Sequence, residues 1–336
     1  MILVTGGLGF IGSHTVVELQ QQGHEVLIVD DLSNASLSVL DGITAITKSR
    51  PKFLQLDLKD KCGVAQMFSK YPEIKGIIHF AASKAVGESM EKPLQYYENN
   101  IVPLINLLYE LGKKEKSCLI FSSSCTVYGQ AMEMPITEEA PVQKALSPYG
   151  NTKQMGEDII TDFAKVSTMD AILLRYFNPI GAHETAYIGE LPNGVPQNLI
   201  PYITQTAVGK RKELSVFGQD YQTPDGTCIR DYIHVVDLAK AHVKALERLL
   251  LKKNIEKVEC FNIGTGKGTS VLEIIKTFEK TTGVVLNYKI VERREGDVME
   301  AYASTTKANK MLGWKAELSL EEALNSAWMW EKSLNK

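Results

Sequence analysis

The strongest constraint on the fold of this 336-residue chain is an alternation of short apolar runs with amphipathic stretches through its first half. The apolar runs have the length of buried strands and end in small or polar residues, which is typical of parallel strands covered on both faces. They are Ile2-Leu3-Val4, Val26-Leu27-Ile28-Val29, Phe53-Leu54-Gln55-Leu56, Gly76-Ile77-Ile78-His79-Phe80 and Cys118-Leu119-Ile120-Phe121. The stretches between them, such as 15–22 and 93–111, are amphipathic. The pattern predicts an α/β fold with a doubly wound parallel (Rossmann) sheet.

The second half of the chain no longer shows the regular alternation of strand and helix patterns, which indicates a second domain. Residues 177–201 and 217–226 are irregular stretches that contain several prolines, glycines and asparagines, and we expect ordered loops there. Helical periodicity returns over 235–251, and 259–263 has the composition of a strand. We predict a larger domain formed by 1–176 plus about 230–265, and a smaller α/β domain formed by 177–229 plus 266–336.

The composition excludes some classes of partner. Lys plus Arg number 37 and Asp plus Glu number 40, so the net charge of −3 creates no global field toward nucleic acid or a membrane surface. We find no signal peptide and no apolar run long enough to span a bilayer. The five cysteines are scattered without a CxxC pair, which argues against a disulfide framework and favours a reducing compartment. We therefore predict a cytoplasmic protein.

A glycine-rich turn directly follows the first predicted strand. Gly6, Gly9 and Gly12 have the spacing GxxGxxG and open a helical stretch. Glycine permits the tight turn and a close approach of the backbone to a pyrophosphate, which the N–H groups at the helix start can bind. Glycine turns between a strand and a helix are also common for steric reasons alone. Because this one follows the first strand, we interpret it as a dinucleotide-binding turn.

Acidic residues after the second and third strands bear on which dinucleotide binds. A carboxylate at Asp30 can accept hydrogen bonds from ribose hydroxyls and would repel a 2′-phosphate, which favours NAD over NADP. The alternative is that Asp30 and Asp31 only solvate the end of a strand, but the glycine turn upstream favours binding. Asp57 follows the third strand and predicts an adenine contact only in combination with these residues.

Three side chains near the fifth strand form a candidate catalytic group. Ser124 ends a serine triplet that follows this strand, and Tyr149 and Lys153 are four residues apart, so they share one face of a helix. A free tyrosine has a pKa of about 10, and we expect the Lys153 ammonium, with a nicotinamide cation, to lower it for general acid–base catalysis. Tyrosine and lysine at this spacing also occur as ordinary surface pairs. The combination with the serine and the glycine turn is the specific signal.

These features resemble the extended short-chain dehydrogenase/reductase family, and the resemblance covers nearly the whole chain. The segments that carry it are LVTGGLGFIGSH (3–14), HFAASKAVGES (79–89), YYENN (96–100), FSSSCTVYG (121–129), SPYGNTK (147–153), LLRYFNPIGAH (173–183), IRDYIHVVDLA (229–239) and RREGDV (293–298). The resemblance implies NAD as the cofactor and a UDP-sugar as the substrate. It also implies a homodimer formed through helices near 93–111 and 149–165, and it assigns the larger domain to NAD and the smaller one to the UDP-sugar.

The resemblance further implies functional residues at the matching positions, with Ser124, Tyr149 and Lys153 as the catalytic group. The implied cofactor contacts are Gly6, Gly9, Phe10, Ile11, Gly12, Asp30, Asp31, Asn34, Asp57, Leu58, Phe80, Ala81, Ala82, Lys84, Asn99, Ser122, Tyr149, Lys153 and Phe177. The implied substrate contacts are Lys84, Ser124, Tyr149, Asn178, Asn198, Leu199, Val216, Phe217, Arg230, Arg294, Asp297 and Ala301.

Elementary chemistry supports several of the substrate contacts. A UDP-sugar carries two phosphate charges, and Arg230 and Arg294 offer planar, multiple donors for them. Asp297 can accept from the uridine ribose, and Phe217 can pack on the uracil. Without the resemblance, the segment around Arg294 would be interpreted as a solvated charge run. The histidines show no metal-binding spacing, so we predict no metal.

The implied activity is reversible inversion at C4 of a UDP-hexose. Tyr149, helped by Ser124, would take the proton of the 4-hydroxyl while a hydride moves to NAD, and the hydride would return to the opposite face of a 4-ketopyranose. In the family, the position of Ala301 faces the sugar, and an alanine leaves room for a 2-acetamido group. We therefore expect turnover of UDP-GlcNAc and UDP-GalNAc besides UDP-glucose and UDP-galactose.

Two other functions remain open at this point. A nucleotide-sugar 4,6-dehydratase shares the first hydride transfer, but it needs an acid and a base after Ser124, where this chain has Cys125 and Thr126. A non-catalytic NAD-binding module would have no need for Ser124, Tyr149 and Lys153 together. The sugar products formed from UDP-galactose distinguish the three functions.

Overall fold

A computed structural model describes residues 1–294 and 297–335 of the chain. Glu295 and Gly296, which belong to the RREGDV segment, lie outside the described residues, as does Lys336 at the end of the predicted smaller domain. The strands are β1 (Ile2–Thr5), β2 (Val26–Asp30), β3 (Lys52–Gln55), β4 (Gly76–His79), β5 (Ser117–Ser124), β6 (Met169–Tyr176), β7 (Asn178–Ile180), β8 (Leu214–Phe217), β9 (Ile229–Arg230), β10 (Tyr232–His234), β11 (Val258–Ile263), β12 (Thr269–Ser270), β13 (Tyr288–Val291) and β14 (Glu300–Ala301).

Helices connect most of these strands. They are α1 (Phe10–Gln21), α2 (Ser38–Thr47), α3 (Lys61–Lys70), α4 (Val86–Glu91), α5 (Pro93–Leu111), α6 (Pro148–Val166), α7 (Leu199–Ala207), α8 (Val235–Leu250), α9 (Val271–Thr282), α10 (Thr306–Met311) and α11 (Leu320–Ser333), with one short 3₁₀ helix at Cys125–Tyr128. Among the helices of residues 1–294 and 297–335, none has the length and hydropathy that a membrane span requires.

The central sheet has seven strands in the order β11-β6-β5-β4-β1-β2-β3, and every neighbouring pair is parallel. This arrangement confirms the predicted doubly wound parallel sheet. The strand order reverses between β1 and β4, since β2 and β3 extend to one side and β5 and β6 to the other. In such sheets the ligand crevice lies beyond the strand C-termini at the point of reversal. The glycine turn after β1 and the residues after β4 lie at this point.

Apolar layers cover both faces of the central sheet. One layer includes Val4 and Ile28 with Leu246 of α8, and the other includes Leu3 and Leu104 of α5. Because alternate residues of a strand point to opposite faces, strands buried on both faces have the continuous apolar sequences from which they were predicted. A separate core lies among α7, α9 and α11 and the strands β8 and β10.

Three small sheets accompany that separate core. β10 pairs with β7, β13 pairs with β8, and β9 lies between β12 and β14. β7 lies inside the segment 177–201, for which the sequence predicts only a loop. The strand forms there because Asn178-Pro179-Ile180 finds a parallel partner in β10, which lies more than fifty residues later in the chain. The division of the chain into two domains stays a prediction.

Candidate active site

The glycine turn brings the ends of β1 and β4 together. Gly6 has φ of +63°, and a Cβ at this position would lie 2.8 Å from the backbone nitrogen of Ala81. A Cβ at Gly12 would overlap the carbonyl oxygen of Gly6. Gly6 and Gly12 therefore have to lack side chains, because backbone atoms occupy the space that a Cβ would need at each position. This close packing is the steric requirement that the sequence predicted for a dinucleotide-binding turn.

The helix after the turn leaves its N-terminus available to an anion. Gly9 is the N-cap of α1, and it has no side chain that could accept from the first-turn N–H groups. Asp30, at the end of β2, accepts from the N–H of Leu8 at 3.2 Å and from the N–H of Leu32 at 3.0 Å. Burial raises the pKa of Asp30, and these two hydrogen bonds oppose the shift. The turn, the helix start and Asp30 have the shape and donors that fit the pyrophosphate and ribose of NAD.

Helix α6 carries the tyrosine and the lysine. The helix begins at Pro148, and the hydroxyl of Ser147 accepts from the N–H of Gly150 at 3.1 Å, so the sequence Ser147-Pro148 fixes its start. Lys153 Nζ donates to the carbonyl oxygen of Ser122 at 2.6 Å and lies 5.8 Å from the ring centroid of Tyr149. Tyr149 and Lys153 thus project from one helix face toward the end of β5, as their spacing predicts.

The serine triplet is part of β5, whereas the sequence predicts that it follows the strand. The pairing of β5 with β6 continues through Ser124, which lies opposite Tyr176. The hydroxyl of Ser124 accepts from the N–H of Thr126 at 3.2 Å and caps the short 3₁₀ helix. The regular strand and this cap together fix the position of the Ser124 oxygen.

The chain by itself does not lower the pKa of Tyr149, and the combined effect of Lys153 and a nicotinamide cation on this pKa stays a prediction. Burial raises the pKa of Tyr149 to about 12, and the nearby Ser124 hydroxyl opposes this shift. Burial also lowers the pKa of Lys153 to about 8, and the carboxylate of Glu157 opposes that shift. Desolvation dominates because Lys153 is buried and Tyr149 is half-buried, and removal from water disfavours the charged form of each group. The phenol is therefore protonated in the chain alone.

A buried ion pair supports the catalytic group, and the sequence reasoning missed it. Arg175 Nε donates to the Glu157 carboxylate at 2.9 Å, and a second, shorter contact runs from Arg175 Nη2 to the other carboxylate oxygen. Ser123 donates to the same carboxylate at 2.5 Å, and Arg175 also donates to the Tyr128 hydroxyl at 3.0 Å. A signal was available, since Glu157 follows Lys153 by four residues and shares the helix face of Tyr149 and Lys153.

Four predicted substrate residues lie together at β8, β9 and the segment before β14. The Arg294 guanidinium lies 5.6 Å from the ring centroid of Phe217 and donates to the Asp297 carboxylate at 2.7 Å. Arg230 approaches the same carboxylate oxygen, with a nitrogen-to-oxygen distance of 4.0 Å. An exposed aromatic ring beside two guanidinium groups can stack on a base and bind phosphates.

The remaining predicted cofactor residues take several positions. Phe80, Ala81 and Ala82 follow β4 and are half-buried, and Asn99 donates to the Ser83 hydroxyl at 3.0 Å. Phe10 and Ile11 open α1 and are half-buried, and Phe177 is buried directly after β6. Asp31, Asn34 and Asp57 lie near the ends of β2 and β3, and the last two are exposed.

The structure restricts how two of the predicted residues could contact a ligand. The side chains of Leu58 and Val216 are packed in apolar cores, so these residues would touch a ligand only through the backbone. Asn178 and Leu199, two further predicted substrate residues, are half-buried at the starts of β7 and α7.

Ala301 lies between the substrate cluster and the catalytic group. It pairs with Arg230 in the β9–β14 ladder, and its side chain belongs to a small apolar cluster that includes Phe177. Cys125, the residue after Ser124, packs against the same cluster. The position is therefore close to the end of β5.

Comparisons with known proteins cover almost the entire chain. A family model described as GDP-mannose 4,6 dehydratase matches residues 3–327. A UDP-glucose 4-epimerase of Haemophilus influenzae is 48% identical over 333 residues, which are 99% of this chain and 97% of that protein. The crystal structure of a UDP-glucose-4-epimerase from Stenotrophomonas maltophila, with bound NAD and formylated UDP-arabinopyranose, is 46% identical with a TM-score of 0.96 and covers 99% of this chain and 98% of that one. A UDP-glucose 4-epimerase from Bifidobacterium longum, in complex with NAD⁺ and UDP, is 45% identical with a TM-score of 0.93 and covers the same shares.

The parallel sheet with its glycine turn, together with Ser124, Tyr149 and Lys153 at one edge, defines an extended short-chain dehydrogenase/reductase. The matching family model carries the name of one activity within this class, and the full-length relatives from Haemophilus influenzae and Bacillus subtilis carry another. The chain belongs to the family of the UDP-glucose 4-epimerases.

Proposed function

We propose that this protein inverts the configuration at C4 of UDP-hexoses, with NAD as its resident cofactor. The observation that carries the proposal is a complete Ser124, Tyr149 and Lys153 group in a chain that matches epimerases along 99% of its length. NAD, when bound, accepts a hydride from C4 and returns it, and its positively charged ring adds the charge that favours a tyrosine phenolate.

The chain would hold NAD along the edge of the sheet between β1 and β4. The α1 N-terminus would bind the pyrophosphate, and Asp30 would accept from the ribose hydroxyls with the lone pairs that Leu8 and Leu32 leave free. Asp31, Asn34 and Asp57 surround the adenosine end in this proposal, and Phe80, Asn99 and Phe177 line the nicotinamide half.

Replacement of Asp30 tests the cofactor site. The Asp30→Ala variant is expected to bind NAD about 10²-fold more weakly, because it loses the acceptor for the ribose and leaves two backbone N–H groups unpaired. The NAD content of the purified protein and a titration with NAD measure this effect. Asp41→Ala, which removes an exposed carboxylate from the neighbouring helix α2, is the control. A full complement of NAD in the Asp30→Ala protein would contradict the assignment.

In the proposed reaction, Tyr149 Oη takes the proton of the 4-hydroxyl and later gives it back. The Ser124 hydroxyl, which the N–H of Thr126 positions, would bridge the sugar oxygen and the tyrosine oxygen, as donor to one and acceptor from the other. Lys153, held on the Ser122 carbonyl, places an ammonium near the phenol ring. In this proposal, the proton passes between the 4-hydroxyl and Tyr149 directly or through Ser124, and no water molecule takes part.

The substrate would be held mainly by its nucleotide. Phe217 would pack on the uracil, Arg230 and Arg294 would bind the diphosphate, and Asp297 would accept from the ribose. Arg294 donates to Asp297 and lies near Phe217 in the structure, so these side chains already share one surface. Inversion requires the sugar to present both faces to the same groups, so binding energy from the remote nucleotide leaves the sugar free to turn.

We also propose that the sugar pocket accepts a 2-acetamido group. Ala301 supports this, because its methyl group lies in the cluster with Phe177 and beside Cys125 and fills little space. UDP-GlcNAc and UDP-GalNAc would then be substrates together with UDP-glucose and UDP-galactose.

A single incubation tests the proposed reaction against its alternatives. Purified protein with UDP-galactose and no added NAD is expected to form UDP-glucose, detected by sugar chromatography. With UDP-galactose deuterated at C4, the product is expected to retain the label, because the same hydrogen returns to C4. A 4-keto-6-deoxy sugar would indicate a dehydratase, and an unchanged substrate would indicate a binding module. Complete loss of the label to solvent would contradict direct return.

The dehydratase alternative is weakened by the residues after Ser124. Cys125 and Thr126 occupy the positions where an acid–base pair would be needed, and burial raises the pKa of the Cys125 thiol to about 11. Neither side chain can act as an acid near neutral pH and as a base for C5 and C6.

We further propose a homodimer in the cytoplasm. Helices α4, α5 and α6 pack on each other and expose large apolar side chains, among them Met90, Leu94 and Met155. Exposed apolar patches of this kind favour association. The free thiols of all five cysteines are consistent with a reducing compartment.

A further inference from the structure

The Glu190 carboxylate joins two residues that the sequence assigns to different ligands. Its Oε1 atom accepts from Lys84 Nζ at 2.9 Å and from Asn198 Nδ2 at 2.6 Å. Lys84 is a predicted contact of both NAD and the substrate, and Asn198 is a predicted contact of the substrate. Glu190 itself belongs to none of the sequence motifs; Lys84 lies 106 residues away from it in the sequence, and Asn198 lies 8 residues away.

Trp330 fixes the backbone at Glu190 and at the preceding Gly189. Trp330 Nε1 donates to the Glu190 carbonyl oxygen at 2.8 Å. A Cβ at Gly189 would lie 2.5 Å from the Trp330 indole ring, so only glycine lets the chain pass flat against it. The Glu190 side chain is 12% exposed, whereas that of Lys84 is 50% exposed. The carboxylate is therefore the anchored member of the group, and the lysine and the asparagine are the members that it orients.

The contact also determines what the Asn198 side chain can do. Asn198 is the N-cap residue of α7, but its side chain accepts no hydrogen bond from that helix. Asparagine at an N-cap commonly folds back onto the first-turn N–H groups. Here its amide donates to Glu190 instead, so the side chain is turned away from its own helix. The carboxylate thus selects one of two competing orientations of Asn198.

The charge of Glu190 matters less than its geometry. A carboxylate near a diphosphate would repel it, but the Lys84 ammonium at 2.9 Å offsets that charge. A pair with one exposed partner contributes little stability by itself. A fixed acceptor, in contrast, lowers the conformational entropy that the two side chains would lose on binding.

We infer that Glu190 is a positioning residue for substrate binding, which presents Asn198 to the UDP diphosphate and holds Lys84 beside it. This inference rests on the proposed function. The holoenzyme should then show a split between binding and turnover, since Glu190 touches no reacting atom.

The test compares Glu190→Ala, Glu190→Gln and the control Glu184→Ala, which removes an exposed acid from the same segment. Glu190→Ala is expected to raise the UDP dissociation constant and the KM for UDP-galactose about tenfold, with kcat changed by less than about threefold. Glu190→Gln should stay within about threefold of the wild type, because its amide oxygen can still accept from Asn198. Titration calorimetry with UDP and initial-rate kinetics measure these quantities. Equal weakening in both variants, or none in Glu190→Ala, would overturn the inference.

A double-mutant cycle with Asn198→Ala separates positioning from a general structural effect. Asn198→Ala alone is expected to weaken UDP binding about tenfold, and Glu190→Ala should add less than about twofold in that background. Additive effects would overturn the inference. If Glu190→Ala does not fold, Glu190→Leu, which also removes both acceptor oxygens, takes its place in the comparison and in the cycle. Failure of the wild-type holoenzyme to bind UDP would contradict the proposed function itself, whereas normal wild-type binding with an unaffected Glu190→Ala variant contradicts only the role of Glu190.

Discussion

The Tyr149→Phe variant is expected to lose about 10³-fold in kcat with UDP-galactose, within the range that removal of a general acid–base group produces. The phenylalanine keeps the ring in its place at the start of α6 but has no oxygen to take the 4-hydroxyl proton. Burial raises the pKa of Tyr149 to about 12 in the chain alone, so its role as a base depends on the positive charges of Lys153 and the nicotinamide ring. The rate of UDP-glucose formation measures the loss.

The NAD content and melting temperature of Tyr149→Phe should match the wild type. Tyr109→Phe, which removes an exposed hydroxyl from α5, is the matched control and should retain full activity. Near-normal epimerisation by Tyr149→Phe would show that the proton is moved by another group. The experiment therefore tests the catalytic assignment independently of substrate recognition.

The Ala301→Tyr variant is expected to lose at least about 10²-fold in kcat/KM for UDP-GlcNAc, while the value for UDP-glucose changes by less than about threefold. Ala301 lies in the apolar cluster with Phe177, close to Cys125 and the end of β5. A phenol ring there would take the volume that a 2-acetamido group needs, whereas a 2-hydroxyl requires less space. Initial rates with all four UDP-sugars on one preparation measure the ratio.

Ala301→Ser is the control for this substitution, since it alters the chemistry of the side chain with little change in volume. It should retain activity on both classes of substrate. Because β14 also carries the pairing with Arg230, the UDP dissociation constant of Ala301→Tyr should be measured as well. An equal loss with UDP-glucose and UDP-GlcNAc would contradict a role of residue 301 in selecting the substituent at C2.

The sequence predicted most strands of the central sheet because these strands are buried on both faces, whereas β6, which is buried as well, was not among the predicted strands. Continuous apolar runs identified β1, β2 and β4, and the helix predicted at 93–111 has the bounds of α5. Short strands whose partners are distant in sequence were harder to predict. β7 is only Asn178–Ile180, and its strand conformation depends on pairing with β10, which no local pattern reveals.

Parts of the site escaped prediction for a similar reason. Spacing placed Tyr149 and Lys153 on one helix face, but it could not predict the pKa of either, because desolvation depends on atoms from several elements. The Arg175–Glu157 pair and the Lys84–Glu190 pair each join residues from separate segments. Such contacts become visible only when the chain has folded.

The position of β11 has a consequence for the synthesis of this protein. β6 is buried along its length and receives its outer partner only from Val258–Ile263, more than eighty residues further along the chain. Until those residues have left the ribosome, β6 offers an unpaired apolar edge, and such edges attract other chains. At about 5–20 residues per second, translation leaves this edge open for several seconds. During this interval the nascent chain exposes an edge that can pair with other chains, and a chaperone that covers this edge would prevent aggregation.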